Sequence, residues 1–225
     1  MGDVAGVGPE TIIRAALSHK TEQTCRILAV GNPQVLQRAG DLVGGSLTIH
    51  EIAHPSDLKT ATLASSELPC WNPCDPDVAD VPPGRVDPRS GRAAYTALVE
   101  ATRAALNGQV DAVTTAPLNK AALHLAGHHY PGHTEILAQE CGVDEFAMML
   151  YLPPDPTIGG EYGFGVAHAT LHTSLRSVPE LLTTTRVRET IELVDRFMKR
   201  IGCPTPRIGV CALNPHAGEE GLFGD

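Results

Sequence analysis

A chain of 225 residues, 42% hydrophobic and 19% charged, is long enough to bury a core and too apolar to be disordered. Its 17 basic and 26 acidic residues give a formal charge of −9 with no basic run, which argues against a nucleic-acid surface or a polybasic membrane patch. Aromatics are only 4%, so the core must be built from Ala, Val, Leu and Ile, which suits an α/β protein better than an aromatic-rich β-sandwich.

The start, MGDVAGVGPE, has neither the basic nor the apolar region of a secretory signal, and no apolar stretch reaches the ~20 residues of a membrane span. A cytoplasmic protein without a membrane partner is therefore expected. Val7 to Leu17 reads as a loop entering a helix, with Pro9 at a first helical position and Glu10 in the first turn. CRILAVGN (25–32) is a short apolar run ending in Gly-Asn, the pattern of a buried parallel strand feeding a loop. Residues 33–39 resemble a short helix, and SLTIHEI (46–52) a second strand. The stretch 53–91 carries seven of the 18 prolines and little periodicity, and reads as an extended connection. Cys70 and Cys74 within it could form half a zinc site. No second Cys/His pair follows at suitable spacing, so reduced thiols are expected there and at the other four cysteines.

Helical spacing returns over 91–106. VDAVTTAP (110–117) reads as a strand stopped by Pro117, and 118–126 as the next helix. Residues 146–152 and 164–170 are further strands, joined by a loop containing PPDPTIGGEYG. Residues 178–201 form one amphipathic helix with Ser177 as a plausible cap, and RIGVCAL (207–213) a last strand running into NPHAGEEG. Strands alternating with helices predict an α/β fold with a largely parallel sheet. Chemistry in such folds gathers in loops at the carboxyl ends of strands, here TTAPLNK, HATLHTSL and LNPHAGE.

Five segments carry polar groups suited to chemistry. Gly2, Gly6 and Gly8, with Asp3 between them, could expose N–H groups to an anion or simply make a tight turn into a helix. Their GxxxGxG spacing is not the GxGxxG dinucleotide fingerprint. Thr114-Thr115-Ala116-Pro117-Leu118-Asn119-Lys120 offers hydroxyl, amide and ammonium donors to a carboxylate or phosphate, although Asn119 and Lys120 could also be plain first-turn residues. In Tyr130-Pro131-Gly132-His133-Thr134-Glu135 the Pro-Gly turn leaves His133 and Thr134 at the mouth of a helix. A histidine there can donate to an anion or move a proton, or can be an ordinary solvated side chain. His172 and His216 each follow an apolar strand. Neutral imidazoles suit Zn²⁺ or Co²⁺, but a catalytic metal needs at least three protein ligands, and two histidines do not make such a site. His168 reads as a core residue, and His124, His128 and His129 as surface residues.

GDVAGVGPE, TTAPLNK, YPGHTE, an ATxH segment ahead of Leu-Arg, and LNPHAGEEGLFG occur in the order that resembles the 4-hydroxythreonine-4-phosphate dehydrogenases of pyridoxal phosphate biosynthesis. The resemblance runs along essentially the whole chain. It implies a two-lobed fold like that of isocitrate and isopropylmalate dehydrogenases, with partial lobes over 1–117 and 118–225. It further implies a cytoplasmic homodimer with a shared active site and a small phosphorylated substrate. The expected reaction is oxidation of a 4-phosphooxy-threonine-type hydroxy acid by NAD or NADP, followed by decarboxylation, with a divalent metal (Zn, Co or Mg) as Lewis acid. His133 and Lys120 are the expected catalytic residues. His133, Thr134, Asp3 and Asn119 are the expected substrate contacts, and His172 and His216 the expected metal ligands.

Three departures accompany the resemblance. Val4 stands where the family has proline, Met1 stands in place of a strand before Gly-Asp, and a later His-Asp-Gln-Gly segment with the third ligand is not in this sequence. The wording of HATLHTSL and the PPDPTIGGEYG insertion also point toward relatives acting on phosphorylated threonate or erythronate, or on dihydrodiols. A catalytically incomplete chain that only binds a phosphorylated metabolite is the remaining alternative.

Overall fold

Proline at the start and a capping side chain before it open several helices of this chain, because the first turn has N–H groups with no partner inside the helix. The computed structural model describes residues 1–64, 66–157 and 160–223. Residues 158 and 159 of the PPDPTIGGEYG loop, and Gly224 of the last motif, lie outside them. Helix α1 (Gly8–Ala16) starts on Gly8-Pro9 and buries Ile13 completely. After α2 (His19–Thr24) and strand β1 (Ala29–Val30), helix α3 (Pro33–Val43) is capped by Asn32, whose oxygen accepts from Gln34 N at 2.9 Å and Val35 N at 3.2 Å. The helix ends at Gly44, whose φ of 78° suits glycine. Strands β2 (Thr48–Ile52) and β3 (Glu67–Trp71) complete a three-stranded sheet in the order β1-β3-β2, parallel throughout. Ile13, Leu36, Leu68 and Cys70 pack together in the core between this sheet and its helices.

The central strand of that sheet lies inside the stretch expected to be a mere connection. Two causes hid it. Pro69 cannot donate to a ladder, and so argues against a central strand. Leu68, Pro69 and Cys70 are buried in succession, so no alternation marks the strand. Residues 53–91 also contain 3₁₀ turns at Pro55–Lys59 and Pro76–Asp80. The expected strand at 25–32 contracts to β1, and 110–117 joins no ladder. Residues 109–116 and β1 instead line a cavity of about 790 Å³, which supplies no matching row of backbone partners.

Helix α4 (Pro88–Leu106) is capped by Asp87, whose carboxylate accepts from Arg89 N at 2.8 Å. Helices α5 (Lys120–Leu125) and α6 (His133–Cys141) pack on α4, joining Leu98 and Val99 to Leu123 and Ile136. This packing places residues 118–144 in one compact unit, Met1–Asp144, with the elements before them.

The second unit, Glu145–Asp225, holds an antiparallel pair, β4 (Met149–Leu152) and β5 (Phe164–Ala167). Leu150, Leu152, Phe164 and Val166 are exposed, while Tyr151 meets Phe197 edge-on at 5.6 Å. The single helix expected over 178–201 is two, α7 (Val178–Leu181) and α8 (Thr184–Arg200). Thr183 breaks it by turning extended and capping α8 through Arg186 N at 3.1 Å, the role expected of Ser177. RIGVCAL pairs with no strand among the described residues, since β4 and β5 pair only with each other and Val210 and Leu213 are exposed. No described helix is long and apolar enough to cross a membrane.

Helices α4 and α5 approach closely at Gly91, where an added Cβ would lie 2.1 Å from the Ala122 carbonyl oxygen. Gly91→Ala should destabilise the protein by about 2 kcal/mol through overpacking, although alanine alone would favour a helix by about 1 kcal/mol. Urea denaturation measures the net change. A variant as stable as the parent would mean that α4 and α5 do not approach this closely.

Candidate active site

The first motif is folded onto the second. Gly2 has a φ of +72°, and a Cβ there would lie 2.4 Å from Pro117 O and 2.8 Å from Ala116 O. Asp3 N donates to Pro117 O at 2.9 Å. The buried Asp3 carboxylate accepts from Ala5 N at 3.0 Å, and Asp3 O accepts from Gly6 N at 3.1 Å. Gly8 is equally constrained, since a Cβ would meet Met1 O at 2.4 Å.

The third motif reaches the same place. Pro131-Gly132 turns the chain so that His133 opens α6, and its Nε2 lies 3.2 Å from Ala116 O. A carbonyl only accepts, so Nε2 carries the proton, and in the neutral ring Nδ1 presents a lone pair. Burial lowers the His133 pKa, the Met1 amine lowers it further, and the Ala116 carbonyl opposes both. Thr134 is half-buried in the first turn of α6, and no side chain caps that helix. Its leading N–H groups are therefore free of a local side-chain acceptor.

Asn119 and Lys120 follow directly on the anchored segment. Asn119 Oδ1 accepts from Ala122 N at 3.1 Å as the cap of α5, and Lys120 is exposed at the start of that helix. Asp3, His133, Asn119 and Lys120 thus gather around residues 116–120, with Thr134 beside His133 in the chain. Glu10, in the first turn of α1, keeps one buried carboxylate oxygen without a partner among the described residues. What side-chain reasoning missed is the pair of acceptors themselves. The Ala116 and Pro117 carbonyls are backbone groups, and nothing in a sequence marks them.

His172 and His216 lie in the second unit, both exposed and both in the left-handed region, at φ 50° and 53°. Non-glycine residues seldom adopt that conformation, although histidine does so more than most. Among the described residues no group of three or more His, Cys, Asp or Glu is placed to hold a metal ion. The two imidazoles have suitable donor chemistry but do not make a complete ligand set. Nor does the glycine-rich turn fit a dinucleotide pyrophosphate, because the N–H groups of Asp3, Ala5 and Gly6 are spent within the fold.

The other histidines and cysteines divide by environment. His124 and His129 are exposed, as expected, but His128 is half-buried and stacked on Tyr95 at 3.7 Å and 13°. Burial lowers its pKa, with a smaller push from His129. His168, expected in the core, is half-buried, with its backbone N–H and Nδ1 both directed at Met148 O. Cys70 and Cys74 are free thiols that donate to Gly31 O and Ala93 O, and burial pushes them up to about 12 and about 11. Neither is poised as a zinc ligand.

The chain is 40% identical over 230 residues to the 4-hydroxythreonine-4-phosphate dehydrogenase of Geobacter metallireducens, covering all of this chain and 63% of that protein. It is 39% identical over 226 residues to the D-threonate 4-phosphate dehydrogenase of Bordetella bronchiseptica, covering 61% of it. The crystal structure of 4-hydroxythreonine-4-phosphate dehydrogenase from Klebsiella pneumoniae superposes with a TM-score of 0.87 at 39% identity, over all of this chain and 66% of that one. The chain therefore spans a little under two thirds of the length of these relatives. Residues 23–225 match the family of pyridoxal phosphate biosynthetic protein PdxA, and the chain belongs to that family.

Proposed function

We propose that this chain carries the substrate-gripping part of an oxidoreductase acting on a small phosphorylated hydroxy acid. The substrate is of the 4-phosphooxy-threonine or threonate 4-phosphate type, oxidised with NAD or NADP and then decarboxylated. The observation that carries this reading is the meeting of three polar motifs at the Ala116 and Pro117 carbonyls. The similarity to dehydrogenases of both substrate types supports the class without separating its members.

In this reading the chain's own residues bind and orient the substrate. The first N–H groups of α6 and the Thr134 hydroxyl donate to anionic oxygens, favoured by the positive end of the helix. Lys120 brings a cation to the same loop. His133, held through Nε2, turns Nδ1 toward the proton of a hydroxyl and accepts from it. When bound, the nicotinamide accepts the hydride and a divalent metal polarises the oxygens at the reacting centre. His172 and His216 are two ligands toward such a metal, and no described residue of the chain completes the set. The setting is a cytoplasmic homodimer with a two-lobed, isocitrate dehydrogenase-like arrangement and a shared active site. The parallel sheet and the likeness to the Klebsiella structure support the fold within that setting.

The incomplete ligand set favours a second reading, in which this chain binds the phosphorylated acid without turning it over. Calorimetry with 4-phosphooxy-threonine and with D-threonate 4-phosphate, beside an NAD(P) reduction assay with Zn²⁺, Co²⁺ or Mg²⁺, separates the two. Binding with turnover supports the dehydrogenase, and binding alone supports the second reading. Absence of binding sinks both. Affinity should fall about tenfold or more in Thr134→Ala, which removes a hydrogen bond to an anionic oxygen, and by about tenfold or less in His133→Ala, which removes one to a neutral hydroxyl.

The depressed pKa of His133 gives a pH test. An unfolded histidine takes up its proton near pH ~6.5, whereas the folded ring does so only lower. The stability that this difference provides is present in full above that value and is lost as pH falls toward the folded pKa. Between pH 7.5 and 5.5, on the order of one unit either side of that pKa, the parent should lose more melting temperature than His133→Gln. Equal losses would show that His133 is not protected from protonation.

A further inference from the structure

We infer that Arg186 is a positioning residue for the loop that carries His172, an inference that rests on His172 being a working residue of the proposed site. His172 lies between β5 and the Leu175–Ser177 turn, in an exposed stretch, and holds a left-handed backbone that a non-glycine side chain resists. Something outside the loop must hold it there. Upstream, His168 N donates to Met148 O at 3.0 Å and so extends the β4–β5 pairing by one step. Downstream, Ser174 Oγ accepts from Ser177 N at 3.2 Å. Over the five residues 169–173, the hydrogen bond that ties the loop down among the described residues comes from Arg186, whose Nε donates to Ala169 O at 2.9 Å.

The same guanidinium donates Nη2 to Phe146 O at 3.2 Å. Phe146 lies three residues before β4 and Ala169 two residues after β5, so one planar group clamps the chain where it enters the hairpin and where it leaves. The fork of a guanidinium is rigid, and it fixes the separation of the two carbonyls in a way that a flexible ammonium would not. Arg186 is itself well seated in the first turn of α8. Its N donates to Thr183 Oγ1 at 3.1 Å, and its carbonyl accepts from Thr190 Oγ1 at 2.8 Å. No carboxylate pairs with it among the described residues, so its donors are committed to main-chain carbonyls rather than to an ion pair.

Arg186→Ala and Arg186→Lys in the 225-residue chain test this by amide hydrogen exchange and by the imidazole Cε1–H resonances. Both variants should exchange the His168 amide, whose N–H donates to Met148 O where the loop begins, about tenfold faster or more, Ala more than Lys, while the amides within the β4–β5 ladder keep their protection. The His172 resonance should shift or broaden in both, and the His216 resonance should stay in place. Unchanged exchange at the His168 amide with an unchanged His172 signal overturns the inference. Uniform loss of protection across the unit in both variants also overturns it, since Arg186 would then be a general support. Neither readout uses substrate or cofactor, so failure of the dehydrogenase reading shows in calorimetry and turnover, and failure of this clamp shows only here.

Discussion

The carbonyls of Ala116 and Pro117 are the fixed point of the first unit's polar cluster, accepting from the Asp3 backbone and the His133 ring. Each such bond is worth only about 1 kcal/mol net, too little to assemble three distant segments unaided. Packing does most of the assembling. Leu123 and Ile136, both fully buried, bring the helices after residues 117 and 132 against Leu98 and Val99 of α4. The hydrogen bonds then choose one geometry among those that packing permits. Glycine at position 2 is part of the same constraint, because the chain passes too close to Pro117 O for any side chain.

What could be read from the sequence follows how local each cause is. Pro9 placed a helix start correctly, and Pro131-Gly132 marked where α6 begins, because proline and glycine act within one turn. Strands were harder. Residues 110–117 and 207–213 have the apolar composition of strands, yet a ladder needs a partner, and composition does not say whether one is present. The strand that does lie at the centre of the sheet contains Pro69 and shows no alternation, so local rules argued against it. In the helix expected over 178–201, three consecutive threonines offered a cap that the periodic apolar pattern concealed.

The site divides along the same line. His133 and Thr134 at the mouth of a helix are a local consequence of the preceding turn, and the structure keeps them there. Asn119 looked like either an anion donor or a first-turn residue, and its oxygen is engaged as a cap. Spacing could not separate His128, stacked on Tyr95, from exposed His124, because α5 ends at Leu125 and helical spacing no longer sets where His128 lies. The ring partner comes from α4, far away in sequence.

The two units also differ in what fixes a side chain's position. In the first, buried Leu98, Val99, Leu123 and Ile136 pack together with Leu118 of the anchored loop beside them, so the helices that flank the loop cannot shift without opening cavities. In the second, one face of the hairpin is exposed at Leu150, Leu152, Phe164 and Val166, and most of α8 is only partly covered. Where packing is thin, individual hydrogen bonds set local geometry to a greater degree, and segments open at low cost. His172 and His216 both stand in that unit with uncommon backbone angles. Their conformations therefore depend on a few polar ties and short turns, whereas His133 inherits its place from a core. A protein of net charge −9 that is to hold an anion must rely on such local donors, since its overall field works against it. The uncapped start of α6, beside a neutral and partly buried histidine, supplies donors without adding a formal charge to the site.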